Sequence, residues 1–142
     1  RKHMHLEDTI SDTKSSEEFA QALAAAALGK KAVDLVILDM RGLIDFSDYF
    51  VLCTAQNTRQ VRAIAEEVKM VSKKEHQTPP VGVEGLDACR WVLVDFSDVV
   101  VHVFDGPMRG FYDLDGLWRD APRLDVPDVE LSPEPDTFFT LS

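Results

Sequence analysis

Residues 91–104 read WVLVDFSDVVVHVF. Two apolar runs, Trp91 to Val94 and Val99 to Phe104, are split by Asp95-Phe96-Ser97-Asp98. Aspartate and serine side chains hydrogen-bond the local backbone and favour turns, so the stretch is expected to form two strands joined by a tight turn. Valine runs this continuous point to a sheet interior covered by helices. Strand alternation puts Trp91 and Leu93 on one face and Val92 and Val94 on the other; His102 shares its face with Val100 and Phe104.

Upstream, VDLVILDM (33–40) and DYFVLCTA (48–55) read as two more strands, joined by RGLIDFSD, where Gly42 is free to take positive φ. Cys53 in the second strand reads as buried packing. Between the strand pair and the hairpin lies a helix over roughly 58–76, capped by Asn57 or Thr58. Val61, Ile64, Ala65, Val68 and Val71 repeat at helical spacing and form its core face. Arg59, Arg62, Lys69, Lys73 and Lys74 lie mostly elsewhere; interrupted by Glu66, Glu67 and Glu75, they read as a solvated face. Thr78-Pro79-Pro80 stops the helix, and VGVEG (81–85) gives a short strand and turn.

An earlier, alanine-rich helix is expected from Ser15 or Ser16 to Gly29, with Phe19, Ala20, Leu23, Ala26 and Ala27 as its stripe. MRGFYDLDGLW (108–118) gives a final short helix or turn. The order α-β-β-α-β-β-β-α has no regular βα repeat and implies a mixed sheet.

The length of 142 residues favours one domain. Residues 1–14 are polar and aperiodic, expected as a disordered extension or tag remnant; 15–122 form the α/β domain; 123–142 form an acidic, mobile tail. The net charge of −10 is spread unevenly, with one Arg against five acids in 123–142. A chain of this balance is a poor generic binder of nucleic acid, which would want a basic face, so work near RNA is expected to go through a protein. No apolar run approaches the roughly 18 residues of a membrane helix. Two separated cysteines, Cys53 and Cys89, give neither a disulfide scaffold nor a zinc site, so a reducing, cytoplasmic setting is expected.

Asp95, Asp98 and His102 are residue types that hold metals or move protons. A metal-dependent nucleotidyl-transfer enzyme is the alternative they raise. Such a site needs carboxylates on one strand face and a glycine-rich loop at the phosphates. Asp95 and Asp98 are three apart across a turn, and the chain has neither GxxxxGK[ST] nor GxGxxG. No cofactor and no metal are therefore expected. His102 lacks companion ligands close in sequence and reads as part of the strand wall. What remains is a surface. Trp91, Phe96 at the turn and Tyr112 beyond the sheet are aromatic anchors of the kind that interfaces favour. With Asp95 beside them, they make up the expected partner-binding set.

Several motifs stand in order: LVILDMR from Leu35, DYFVLCTA from Asp48, TRQVRAIAEEV from Thr58, VEG at 83–85, RWVLVDFSDVVVHVF at 90–104 and FYDLDGLW at 111–118. Together, over roughly 18–122, they resemble the ribosomal silencing factors, also called Iojap-like proteins. The resemblance implies a mixed five-stranded sheet flanked by helices, with nucleotidyltransferase-like topology but without the catalytic motif. It implies a non-enzymatic role: binding the large ribosomal subunit through its fourteenth protein, blocking small-subunit joining and lowering translation when nutrients are scarce. Trp91 matches the family's interface tryptophan, Phe96 the apolar residue at its hairpin tip, and Tyr112 follows less closely. A homodimer off the ribosome, using the same aromatic surface, is a further expectation. One departure stands out: the family usually has Gly where this chain has Ser97. If that position needs positive φ, serine costs about 1 kcal/mol.

Overall fold

The computed structural model of the chain describes residues 6–112 and 118–129. Among them the elements run α1 (Leu6–Gly29), β1 (Val33–Asp39), β2 (Tyr49–Ala55), α2 (Thr58–Lys74), β3 (Gly82–Glu84), β4 (Trp91–Asp95), β5 (Val99–Asp105), α3 (Gly106–Tyr112) and β6 (Arg123–Leu124). The expected mixed α/β sheet is present. Its strand order is β3-β4-β5-β2-β1-β6. β2 and β5 lie side by side and parallel, in register from Tyr49 opposite Val99 to Ala55 opposite Asp105. All other neighbours are antiparallel.

The sheet has six strands where five were expected. The sixth, β6, pairs Leu124 with Ile37 on β1, and Asp39 donates its N–H to the Pro122 carbonyl at 2.8 Å. Two residues carry no readable alternation, so this strand left no trace in the sequence pattern. The segment expected to be a mobile tail therefore begins as sheet; Gln21 also donates to the Asp125 carbonyl at 2.9 Å. The rest of that tail, from residue 130, lies outside the described residues, as do residues 1–5. At the other end, α1 starts at Leu6 rather than at Ser15 or Ser16. No glycine or proline interrupts Leu6 to Leu28, so nothing breaks the helix there. The Ser16 hydroxyl turns to the Asp98 carboxylate at 3.4 Å.

Other helix signals read as expected. Asn57 caps α2, accepting from the Gln60 N–H at 2.8 Å. Val61, Ile64, Ala65, Val68 and Val71 are all buried on its inner face. Burying each of the valine and isoleucine side chains contributes about 1.5–3 kcal/mol. The alanines of α1 let it lie close to α2, and both helices cover one face of the sheet through a core that includes Leu23, Ile37, Val51, Val92 and Val101. The opposite face carries a second cluster around Leu38, Met40, Phe50, Leu52 and Phe104.

Burial along each strand records this two-sidedness. β2 and β5 are buried at every residue, which is why they read as unbroken apolar runs. β4 alternates, with Val92 and Val94 buried and Trp91, Leu93 and Asp95 half-buried. Gly85 fixes the entry to β4: its φ is +91°, and a Cβ there would come within 2.1 Å of the Trp91 carbonyl oxygen. No helix among the described residues is long and apolar enough to cross a membrane.

Candidate docking face

Among the described residues, the face away from α1 and α2 is covered only in part. α3 reaches across one end of it. Asp105 accepts the Met108 N–H at 3.0 Å and pairs with Arg90 at 3.1 Å, which anchors the start of α3. Arg109 then donates to the Thr54 hydroxyl at 2.9 Å and to the Asp34 carbonyl, tying α3 back to the sheet. Trp118 sits edge-on to Phe50 at 6.2 Å. The β1–β2 connection, residues 40–48, lies along the same face: Met40 and Ile44 pack into its cluster. Leu43 and Phe46 in that connection are 48% and 67% exposed.

At the middle of this face the rings form a chain. Trp91 stacks on Phe104 at 5.2 Å, and its Nε1–H donates to His102 Nδ1 at 3.2 Å. His102 lies 4.9 Å from Phe50, which lies 6.2 Å from Phe46. Burial holds the His102 imidazole well below its ordinary value, at about 4, because a charged ring would lose its hydration. A group neutral at all physiological pH and walled by aromatics acts as a packing and hydrogen-bonding element. Cys53 is buried on the helix side of β2, and burial pushes its thiol up to about 12, far from the thiolate a nucleophile needs.

The expected partner-binding residues separate. Trp91 and Asp95 share the open side of β4. Asp95 accepts the Ser97 N–H at 2.7 Å and so closes the turn. Phe96 does not stand out at the hairpin tip. It is 6% exposed and meets Phe19 of α1 edge-on at 5.2 Å, on the helix side. The reason is the period of two: Phe96 continues the Val92–Val94 face, which α1 covers. Its exposure, expected from its place in a turn, is corrected to burial. Tyr112 is the last residue of α3, and its side chain lies outside the described residues.

Asp98 is turned from Asp95 and receives the Ser16 hydroxyl of α1. Its carbonyl accepts three donors, the N–H groups of Asp48 and Tyr49 at 2.8 and 3.1 Å and the Ser47 hydroxyl at 3.0 Å. The aspartates thus hold the turn and the strand starts. Ser97 takes φ +75°, so this position does adopt the positive φ that favours glycine. Among the described residues no group of three His, Cys, Asp or Glu side chains is placed to hold a metal. Among the described residues, Phe46 and Leu43 are exposed apolar side chains of the β1–β2 connection, and neither belongs to the expected partner-binding set. The available signal was a Leu and a Phe inside a connection with no period to bury them.

The family profile described as "Ribosomal silencing factor during starvation" matches residues 13–140, farther at both ends than the motifs alone. The ribosomal silencing factor of Bacillus subtilis is 46% identical over 103 residues, 72% of this chain and 86% of that protein. That of Halalkalibacterium halodurans is 40% identical over 115 residues, covering 81% and 97%. A crystal structure from Bacillus halodurans superposes with a TM-score of 0.69 at 38% identity, covering 78% of this chain and 99% of that one. With the fold, the motif order and nearly the whole described chain in agreement, this chain belongs to the ribosomal silencing factor family.

Proposed function

We propose that this protein docks on the large ribosomal subunit through the subunit's fourteenth protein and keeps the small subunit from joining. It works in the cytoplasm by occlusion, without turnover and without a cofactor. The observation that carries the reading is the aromatic face, half-open among the described residues, with Trp91 laid on Phe104 and with Phe46 exposed beside Phe50. Apolar and aromatic side chains gathered at an accessible sheet face are what protein interfaces use as anchors. The net charge of −10 supports a protein partner over bare RNA, since an acidic surface is attracted to a basic ribosomal protein and repelled by phosphates. A second copy closing over the same face would mask it away from the ribosome.

The test is sedimentation of purified subunits with and without the protein. Addition is expected to shift joined ribosomes to separate subunits, with the protein in the large-subunit fractions. Unchanged joining, with the protein bound to neither subunit, would overturn the reading.

A further inference from the structure

Trp91 and His102 are joined across neighbouring strands by one hydrogen bond. The bond runs from indole Nε1–H to imidazole Nδ1 over 3.2 Å. A neutral imidazole has one donor nitrogen and one acceptor, so with Nδ1 accepting, the proton sits on Nε2. That Nε2 is buried and has no hydrogen-bond partner among the described residues. A buried donor left unsatisfied is a standing cost. On the helix-covered side of β5 the equivalent positions are Val99, Val101 and Val103, which carry no such cost. The histidine therefore stands only on the open side of the strand, in contact with the residue best placed to anchor a partner.

We propose that His102 is a positioning residue for docking: it holds the Trp91 indole flat against Phe104, so that the anchor is set before the partner arrives. The proposal rests on the docking reading above. Its physical basis is preorganisation. A tryptophan that must be ordered on binding loses rotamer freedom at that moment, and one already held does not. Among the described residues, two constraints act on the indole from different directions. The ring stack with Phe104, at 28° between planes, fixes its tilt. The Nε1–H bond fixes its rotation within that plane, which stacking alone leaves open. His102 is itself held between Phe50 at 4.9 Å and the parallel Phe104 ring at 6.1 Å, so the acceptor does not swing.

The test compares two substitutions. His102→Asn places an amide oxygen on the same Cγ that carries Nδ1 and keeps the acceptor. His102→Leu keeps the branch and removes it. Affinity for purified large subunits is measured for both, together with the Trp91 indole N–H resonance of the free protein, identified by its loss in Trp91→Phe. His102→Leu is expected to bind about five- to tenfold more weakly, with the indole resonance shifted and its solvent exchange faster. His102→Asn is expected to keep both wild-type values. Leu binding as tightly as wild type, or Asn binding as weakly as Leu with its indole bond intact, overturns the proposal and leaves the docking reading standing. Wild type failing to bind overturns the docking reading and the proposal with it. Folding of the variants is secured by a second comparison. Trp91→Phe with His102→Leu removes donor and acceptor together and leaves no broken pair. In the Trp91→Phe background His102→Leu is expected to change affinity no further; an equal loss in both backgrounds overturns the proposal.

Discussion

The tetrapeptide Asp-Phe-Ser-Asp occurs at 45–48 and again at 95–98, each time just before one of the two central parallel strands. Phe46 is 67% exposed, and Phe96 is 6% exposed. Ser47 is buried and donates to the carbonyls of Tyr49 and Asp98, whereas Ser97 is exposed and held at φ +75°. The copies even touch, since the Asp98 carbonyl of one accepts the Asp48 N–H of the other. Identical residues thus serve opposite sides of one sheet. What separates them lies outside the four residues. The second copy ends a strand whose alternation continues into Phe96, beneath Phe19 of α1. The first ends an irregular connection that no helix covers among the described residues.

The contrast can be broken most forcefully at the two phenylalanines. Phe96→Ala is expected to cost about 3–5 kcal/mol, as for other large buried side chains, read as a lower urea midpoint. A loss as small as that of an exposed side chain would end the comparison.

The next largest effect belongs to the open face and its histidine. His102 has its folded value lowered by burial to about 4, against an ordinary 6.5. The unfolded chain therefore binds the extra proton between those values, and stability falls as pH drops from about 6.5 towards 4. The loss at the acid end is about 3 kcal/mol at most. His102→Leu is expected to flatten that part of the stability profile relative to wild type; superimposable slopes would refute it.

Serine to glycine is the sharper pair. At Ser47 it removes a buried hydroxyl bond and is expected to cost about 1–2 kcal/mol. At Ser97 it relieves a left-handed serine and is expected to add up to about 1 kcal/mol. Thermal unfolding of the two variants should move in opposite directions, and a shared sign would show that the copies are not distinct. Phe46→Ala gives the smallest effect on stability, within about 0.5 kcal/mol, while weakening large-subunit binding about tenfold. Undiminished binding would take the β1–β2 connection out of the docking face.

Much of the fold was readable because its period is strong. The valines of β5 and the 58–74 helix bury as their spacing indicates. The place of Trp91 on the face away from α1 and α2 was readable because alternation sets it opposite Val92 and Val94. Phe96 reads as exposed from its position in a turn, but the period of β4 carries through Asp95 and buries it. Ser97 was legible only through the resemblance, as a residue whose cost depends on whether positive φ is needed, and its φ is +75°. β6 was not legible, since two residues are too few to show a pattern. The Trp91–His102 bond was out of reach too, because a cross-strand contact depends on register.

The pairing of β2 with β5 has a consequence during synthesis. The two strands are partners residue for residue, yet Tyr49 and Val99 are separated by a helix and two further strands. Until the chain has been made through Asp105, β2 can pair only with β1, and its other edge stays open along seven residues that end up buried. Non-local parallel pairing is slow to form, and open apolar edges invite other chains. While this protein is being translated, its interval of greatest aggregation risk is expected to run from the emergence of Ala55 to that of Asp105.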